Sequence, residues 1–235
     1  MPEEHCFGSL QTVAIRVAKL DANGSPLTGA GNGYVTDAMI EATIGADIEE
    51  GDEFTVKNAA GSICQSFKDC DRFKRATVEM TLCHLDAELL TMLVGGSIIR
   101  DLAGTGSGDA LGWETAGADD ACVNGVALEL WTKAWDGSSQ ATPPFGGGST
   151  IAYFHFVLPK VKFQLGDLNF ENDFMSIPVT GFGDENPRIT SNGPFDDWVS
   201  DIVARGGITG ALGFFLDTTK PTVACGAIAV PSAAS

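Results

Sequence analysis

The sequence predicts a mainly β fold, a sandwich or barrel with one short α-helix at about residues 86–94 and long loops. Three observations predict it. Apolar and polar residues alternate in several short runs, the period of a half-buried strand. The 29 glycines and 10 prolines fall between those runs and favour many turns. Only one stretch shows helical spacing. A length of 235 residues with 44% hydrophobic content fits one large β domain, read here as residues 1–235.

Val13, Ile15 and Val17 alternate with Thr12, Ala14 and Arg16, which predicts the first strand. Asp21-Ala22-Asn23-Gly24-Ser25-Pro26 ends it with turn chemistry, and the glycine-rich stretch 27–33 reads as a loop. A second strand lies within 34–47, with Ile40, Ala42 and Ile44 on one face. An acidic turn follows at 48–53, then a short strand, Phe54-Thr55-Val56. Residues 57–72 read as a long polar connection carrying Cys64 and Cys70. Structureless segments of that length are uncommon in compact domains and usually functional, so 48–72 is read as a long interface loop.

Phe73 to His84 is the clearest strand. Ala76, Val78, Met80 and Leu82 share one face; Arg75, Thr77, Glu79 and Thr81 share the other. The helix comes next, capped by Asp86, with Leu89, Leu90, Met92, Leu93 and Val94 apolar and Gly95-Gly96 as the stop. A loop at 102–120, a strand at 126–135 and a loop at 137–149 follow. Further β segments are predicted at 151–158, 161–165, 170–181, 208–216 and 222–230, with turns at 183–194. Residues 1–10 read as an N-terminal arm.

The formal charge is −17, from 31 acids against 14 bases, which argues against a nucleic-acid reader. The N-terminus lacks the basic start and apolar run of a signal peptide, and no apolar run is long enough to suggest a membrane span. The six cysteines read as reduced thiols, with Cys64 and Cys70 the candidate disulfide pair.

No nucleophile elbow, phosphate loop or His-Glu-x-x-His is present, so no catalytic residue, metal ligand or cofactor is assigned. Cys64, Cys70, Cys83 and His84 have zinc-ligand chemistry without paired Cys-x-x-Cys spacing. His5, His84 and His155 read as structural or solvated. The pair Asp196-Asp197 reads as a turn. Trp113, Trp131, Trp135 and Trp198 offer either packing or a sugar platform.

Several segments, in order, carry a family resemblance. Val13-Ala14-Ile15-Arg16-Val17-Ala18-Lys19-Leu20-Asp21 with Gly24-Ser25-Pro26 resembles the opening strand and turn of major tail tube proteins of long-tailed bacteriophages, especially those of actinobacteria. The run Cys64 to Arg75, leading into Ala76-Thr77-Val78-Glu79-Met80-Thr81-Leu82-Cys83, is similar as well. So are Leu158-Pro159, Gly166-Asp167-Leu168-Asn169-Phe170-Glu171-Asn172, Val179-Thr180-Gly181 and Asn192-Gly193-Pro194-Phe195.

The resemblance implies a tail-tube-type β-sandwich or barrel and a structural virion protein, not an enzyme. Hexameric rings would stack into a tube whose acidic β-barrel lumen conducts DNA without specific binding. Implied partners are further copies of the chain, the tape-measure protein, and tail-tip and terminator proteins. The implied place is the virion tail, assembled in the host cytoplasm, with no membrane contact. Within this reading, Glu49, Glu50, Asp52, Phe54, Lys57, Phe67, Lys68 and Arg72 form the inter-ring or inter-subunit loop, with the N-terminal arm a second candidate. Arg75, Thr77, Glu79 and Thr81 face the lumen. A carbohydrate-binding, adhesin-like sandwich is the alternative of a different class, and a hydrolase with an unrecognised site is a third.

Overall fold

The computed structural model describes residues 7–83, 86–101, 110–117, 125–136, 153–168, 176–189, 193–224 and 226–232. The strands of the main sheet are β1 (Phe7–Lys19), β2 (Gly29–Thr36), β3 (Met39–Glu49), β6 (Arg72–Leu82), β9 (Val126–Asp136), β10 (Tyr153–Leu165), β11 (Ile177–Asp184), β12 (Gly213–Asp217) and β13 (Gly226–Val230). Two small sheets pair β4 (Glu53–Lys57) with β5 (Ile63–Lys68), and β7 (Ser97–Arg100) with β8 (Ala110–Glu114). The helices are α1 (Ala87–Val94) and α2 (Ser200–Ala204).

The main sheet is antiparallel and runs β13-β2-β1-β9-β10-β11-β6-β3, with β12 on β10. Among the described residues it is open, not a closed barrel, with edges at β13 and β3. β10 is one continuous strand where the sequence suggested two. Its first half pairs with β12 and its second with β11. Pro159 lies at that exchange, where pairing with β9 also skips from Leu158 to Val161. A residue without an N–H is tolerated in a sheet interior at such an irregularity. Asn186 fixes the spot, its Nδ2 donating to the carbonyls of Pro159 (3.1 Å) and Gly24 (2.8 Å).

Each face of the sheet has its own cover. On one face α1 buries Leu89, Leu90, Met92 and Leu93 against Val17, Val78, Leu128 and Leu158. Burying such side chains stabilises by about 1.5–3 kcal/mol each, which holds a helix too short to persist alone. Asp86 caps it as expected, accepting from the Glu88 and Leu89 N–H groups, and Gly95 ends it at φ 81°. On the other face, Trp198 and Ile202 of the segment 193–204 pack with Ala18, Ala127, Val157 and Phe215. The sequence showed one helix; α2 is a second, lying in this cover.

Other departures have local causes. Residues 29–33 are strand, not loop, because their small side chains let β13 pair alongside, Ile228 opposite Gly33. A Cβ on Gly33 would stand 2.9 Å from the Phe195 ring. Ile40 points outward, 62% exposed, because a register shift between Met39 and Glu41 turns Met39 inward in its place. Residues 7–10 of the expected N-terminal arm already belong to β1, paired with the end of β9, while residues 1–6 lie outside the described residues.

Candidate assembly interface

The expected 48–72 loop is a β-ribbon. β3 and β6 pair out to Ile48–Phe73 and Glu49–Arg72, and β4 and β5 extend the same hairpin beyond them. Asn58 makes its turn, its Oδ1 accepting from the N–H groups of Ala60 and Ser62, with Gly61 at φ 83°. Phe54 stands opposite Phe67, and Val56 opposite Gln65. Pairing and alternation therefore put Phe54, Val56 and Phe67 on one face with Gln65, and Glu53, Thr55, Ser66 and Lys68 on the other, while apolar Ile63 lies past a register shift opposite Lys57. Every residue of both strands is exposed, those four apolar ones by 57–64%. A lone two-stranded hairpin is marginal in water. This one carries an amphipathic pattern whose apolar face its own described chain does not cover.

The joint at the base of the hairpin is tight. The Asp69 N–H donates to the Asp52 carbonyl (2.9 Å), and the Gly51 N–H donates to Asp71 Oδ1 (3.0 Å). That bond, with Lys68 3.4 Å away, holds the Asp71 carboxyl below its ordinary range. Gly51 is required: a Cβ there would overlap the Asp69 carbonyl. Glu49, Glu50, Asp52 and Arg72 line an open cleft of about 190 Å³ at the joint. Phe54, Lys57, Phe67 and Lys68 lie on the hairpin beyond it. The sequence-predicted contact residues thus share one projecting arm, as strand and joint rather than loop.

The candidate disulfide is not formed. Cys64 and Cys70 are exposed free thiols. From Cys64 to the end of β5 the extended chain travels about 13 Å, already beyond the Cα separation a disulfide spans. The zinc set is also dispersed. Cys64 lies in the hairpin and Cys83 past the far end of β6, His84 lies outside the described residues, and no group of three candidate ligands forms among those described.

On β6, Ala76, Val78, Met80 and Leu82 are buried, while Arg75, Thr77, Glu79 and Thr81 face the other way. Cross-strand neighbours extend that polar face: Thr43 and Asp47 on β3, Thr180 and Phe182 on β11, Lys160 and Lys162 on β10. Arg75 donates to Asp47 (2.8 Å) and lies 3.8 Å over the Phe182 ring. Among its charges are Glu41, Asp47, Glu79 and Asp184 against Arg75, Lys160 and Lys162. Their near balance does not concentrate the chain's −17 on this face.

The residues that sequence reading missed are buried. Arg16, Glu129 and His155 occupy inward positions of β1, β9 and β10 beneath segment 193–204. Arg16 Nε donates to Glu129 Oε2 (2.6 Å), and its other nitrogens donate to both oxygens of Asp197 (2.5 and 2.8 Å). The guanidinium lies between the rings of Phe195 (4.0 Å) and Trp131 (4.8 Å). Trp198 Nε1 donates to Glu129 Oε1 (2.8 Å), which also meets His155 Nε2 (3.1 Å). His155 stacks on Trp131 at 3.9 Å, and its Nδ1 faces Asp217 Oδ2 at 3.5 Å.

Burial alone would favour the neutral form of each group, but its partners prevail. Arg16 holds Glu129 well below the carboxylate range. Asp217 and Glu129 raise His155 above its ordinary value, and His155 lowers Asp217 in turn. Asp197 sits in a bent turn, with Asp196 at φ 56° and Gly193 at φ 73° against the Trp198 ring. His155 is therefore the structural one of its two expected readings, buried in a network that clamps the 193–204 cover onto the sheet.

Trp131 and Trp198 are 1% and 6% exposed, and Trp113 is half-buried with its Nε1 on the Gly95 carbonyl (2.9 Å). These three form packing contacts, not an open platform; the Trp135 side chain lies outside the described residues. No protein-family model matches the chain, and no curated protein is significantly similar to it.

Proposed function

We propose that this chain is a structural subunit that polymerises into a hollow tube, the tail tube of a long-tailed bacteriophage. The carrying observation is the 50–71 arm, whose hairpin presents Phe54, Val56, Ile63 and Phe67 to solvent. An uncovered apolar face on a projecting arm suits insertion against a neighbouring copy. The open sheet adds support, since unpaired edges on β3 and β13 are aggregation liabilities unless an assembly covers them. Edge-to-edge pairing of successive copies is a heterologous contact, which generates a ring when the rotation closes.

In this reading the sheets of several copies join into one barrel. The polar face with Arg75, Thr77, Glu79 and Thr81 lines the channel, and α1 lies on its other side. The channel conducts DNA with little adhesion because its charges are mixed and partly paired, rather than because the wall is uniformly acidic. Negative-stain microscopy of purified protein tests the proposal. Rings or tubes with a central channel are expected. A monomer that stays monomeric at every concentration, salt and pH overturns it.

A further inference from the structure

The assembly reading leaves open where on its neighbour the arm lands. Outside the arm, most exposed large apolar residues are isolated aliphatic side chains or lie at its base, as Ile48 and Phe73 do opposite each other, and Leu111 and Ile99 lie on the small β7–β8 sheet. Phe182 is capped by Arg75, and Ile40 is a single side chain beside a register shift. Among the described residues outside the arm, one aromatic cluster combines close rings with solvent exposure. Phe154, Phe156 and Phe214 lie with centroids 5.6–6.2 Å apart, and Phe214 is 60% exposed, with Leu212 39% exposed close by in sequence.

The backbone at this cluster is also unfinished. β12 pairs with β10 and, among the described residues, with no other strand, so its outer edge is open. An incoming strand can therefore gain ladder hydrogen bonds along β12 while its apolar side chains cover Phe214. Charge favours a second copy of this chain as the source of that strand. The hairpin 53–68 carries Glu53 against Lys57 and Lys68, one net positive charge, on a chain of −17. Its local charge is opposite in sign to that of the whole chain, so another copy can approach it with less repulsion than the acidic chain as a whole would present.

We propose that the apolar face of the β4–β5 hairpin docks on the Phe154–Phe156–Phe214 cluster of a second copy, beside the open edge of β12. This rests on the assembly reading and adds its acceptor. The contact joins different patches of identical chains, so it propagates head to tail.

The test uses the full chain in three forms: wild type, Phe214→Ser, and Phe214→Leu as the conservative control. Sedimentation and microscopy report assembly, and circular dichroism reports folding. A mixed sample of a Leu212→Cys chain lacking Cys64 with a chain retaining Cys64 is treated with a short bismaleimide, and linked peptides are read by mass spectrometry. The expected results are a 64–212 link between copies, association weakened about thirtyfold in Phe214→Ser, as for an aromatic hot spot, and recovery in Phe214→Leu. Wild-type assembly with Phe214→Ser assembling equally well, or with Cys64 linked only elsewhere, overturns the acceptor and leaves tube formation standing. A wild-type protein that never assembles overturns both.

Discussion

Arg16 and Glu129 face each other across β1 and β9 with Nε 2.6 Å from Oε2, their side chains 4% and 1% exposed. The same guanidinium reaches Asp197, so one cation joins two core strands to the segment that covers them. Removing one partner of a buried pair leaves the other uncompensated. Arg16→Ala is expected to cost about 3–5 kcal/mol in urea denaturation. Arg16→Lys should fall between it and wild type, because an ammonium cannot reproduce the fork to two carboxylates. Equal stability of all three proteins would sink the clamp.

The network sets two pH limits. His155 is raised above its usual 6.5, so its contribution is complete below about 6.5 and is lost as pH rises through the raised value. Glu129 and Asp217 are lowered, so their contributions are complete above about 4.5 and 3.8 respectively and are lost as pH falls toward the depressed values. Denaturation midpoints across this range should decline on both sides. His155→Gln should flatten the alkaline side, and an unchanged alkaline decline in that variant would contradict the assignment.

Gly51→Ala places a methyl group against the Asp69 backbone, which cannot swing aside as a side chain can. The arm should splay at its joint, at a local cost of about 1–3 kcal/mol. Faster proteolytic cleavage within 50–71 is expected, together with weaker assembly and an unchanged melting temperature of the body. Wild-type cleavage kinetics would show that the joint tolerates the methyl.

Replacing residues 53–68 with a two-residue turn should leave the domain folded, because both strands are exposed along their whole length. Thermal melts should match wild type within about 0.5 kcal/mol, while sedimentation shows only unassembled protein. A large drop in melting temperature would mean that the hairpin supports its own domain.

Cys64 and Cys70 should both react with a maleimide in the native protein, since both are exposed and free. Peptide mapping without reductant decides the matter: a 64–70 disulfide in the native protein would refute the free-thiol arrangement.

Legibility followed the range of the interactions. The alternation of β6 and the Asp86 cap of α1 are local signals and were readable directly. Phe54-Thr55-Val56 was readable as the core of β4, but its partner β5 was not, because a strand exposed on both faces shows Gln65, Ser66 and Lys68 as any polar loop would. Arg16, Glu129 and His155 stood at alternate strand positions, where a charged residue ordinarily marks the wet face. Their burial depends on partners up to 181 residues away. Asp197 looked like half of a turn pair for the same reason.

The wide separation of Arg16 from Glu129, 113 residues, also bears on the order of folding. The central β1–β9 pairing cannot form until more than half of the chain is available, and such non-local pairings fold slowly. The β4–β5 hairpin closes over a few residues, and hairpins form within about 1–10 μs. Its adhesive face is therefore expected to take shape while the body is still incomplete. Nascent copies at high concentration would meet first through the apolar face that the described part of each chain leaves uncovered.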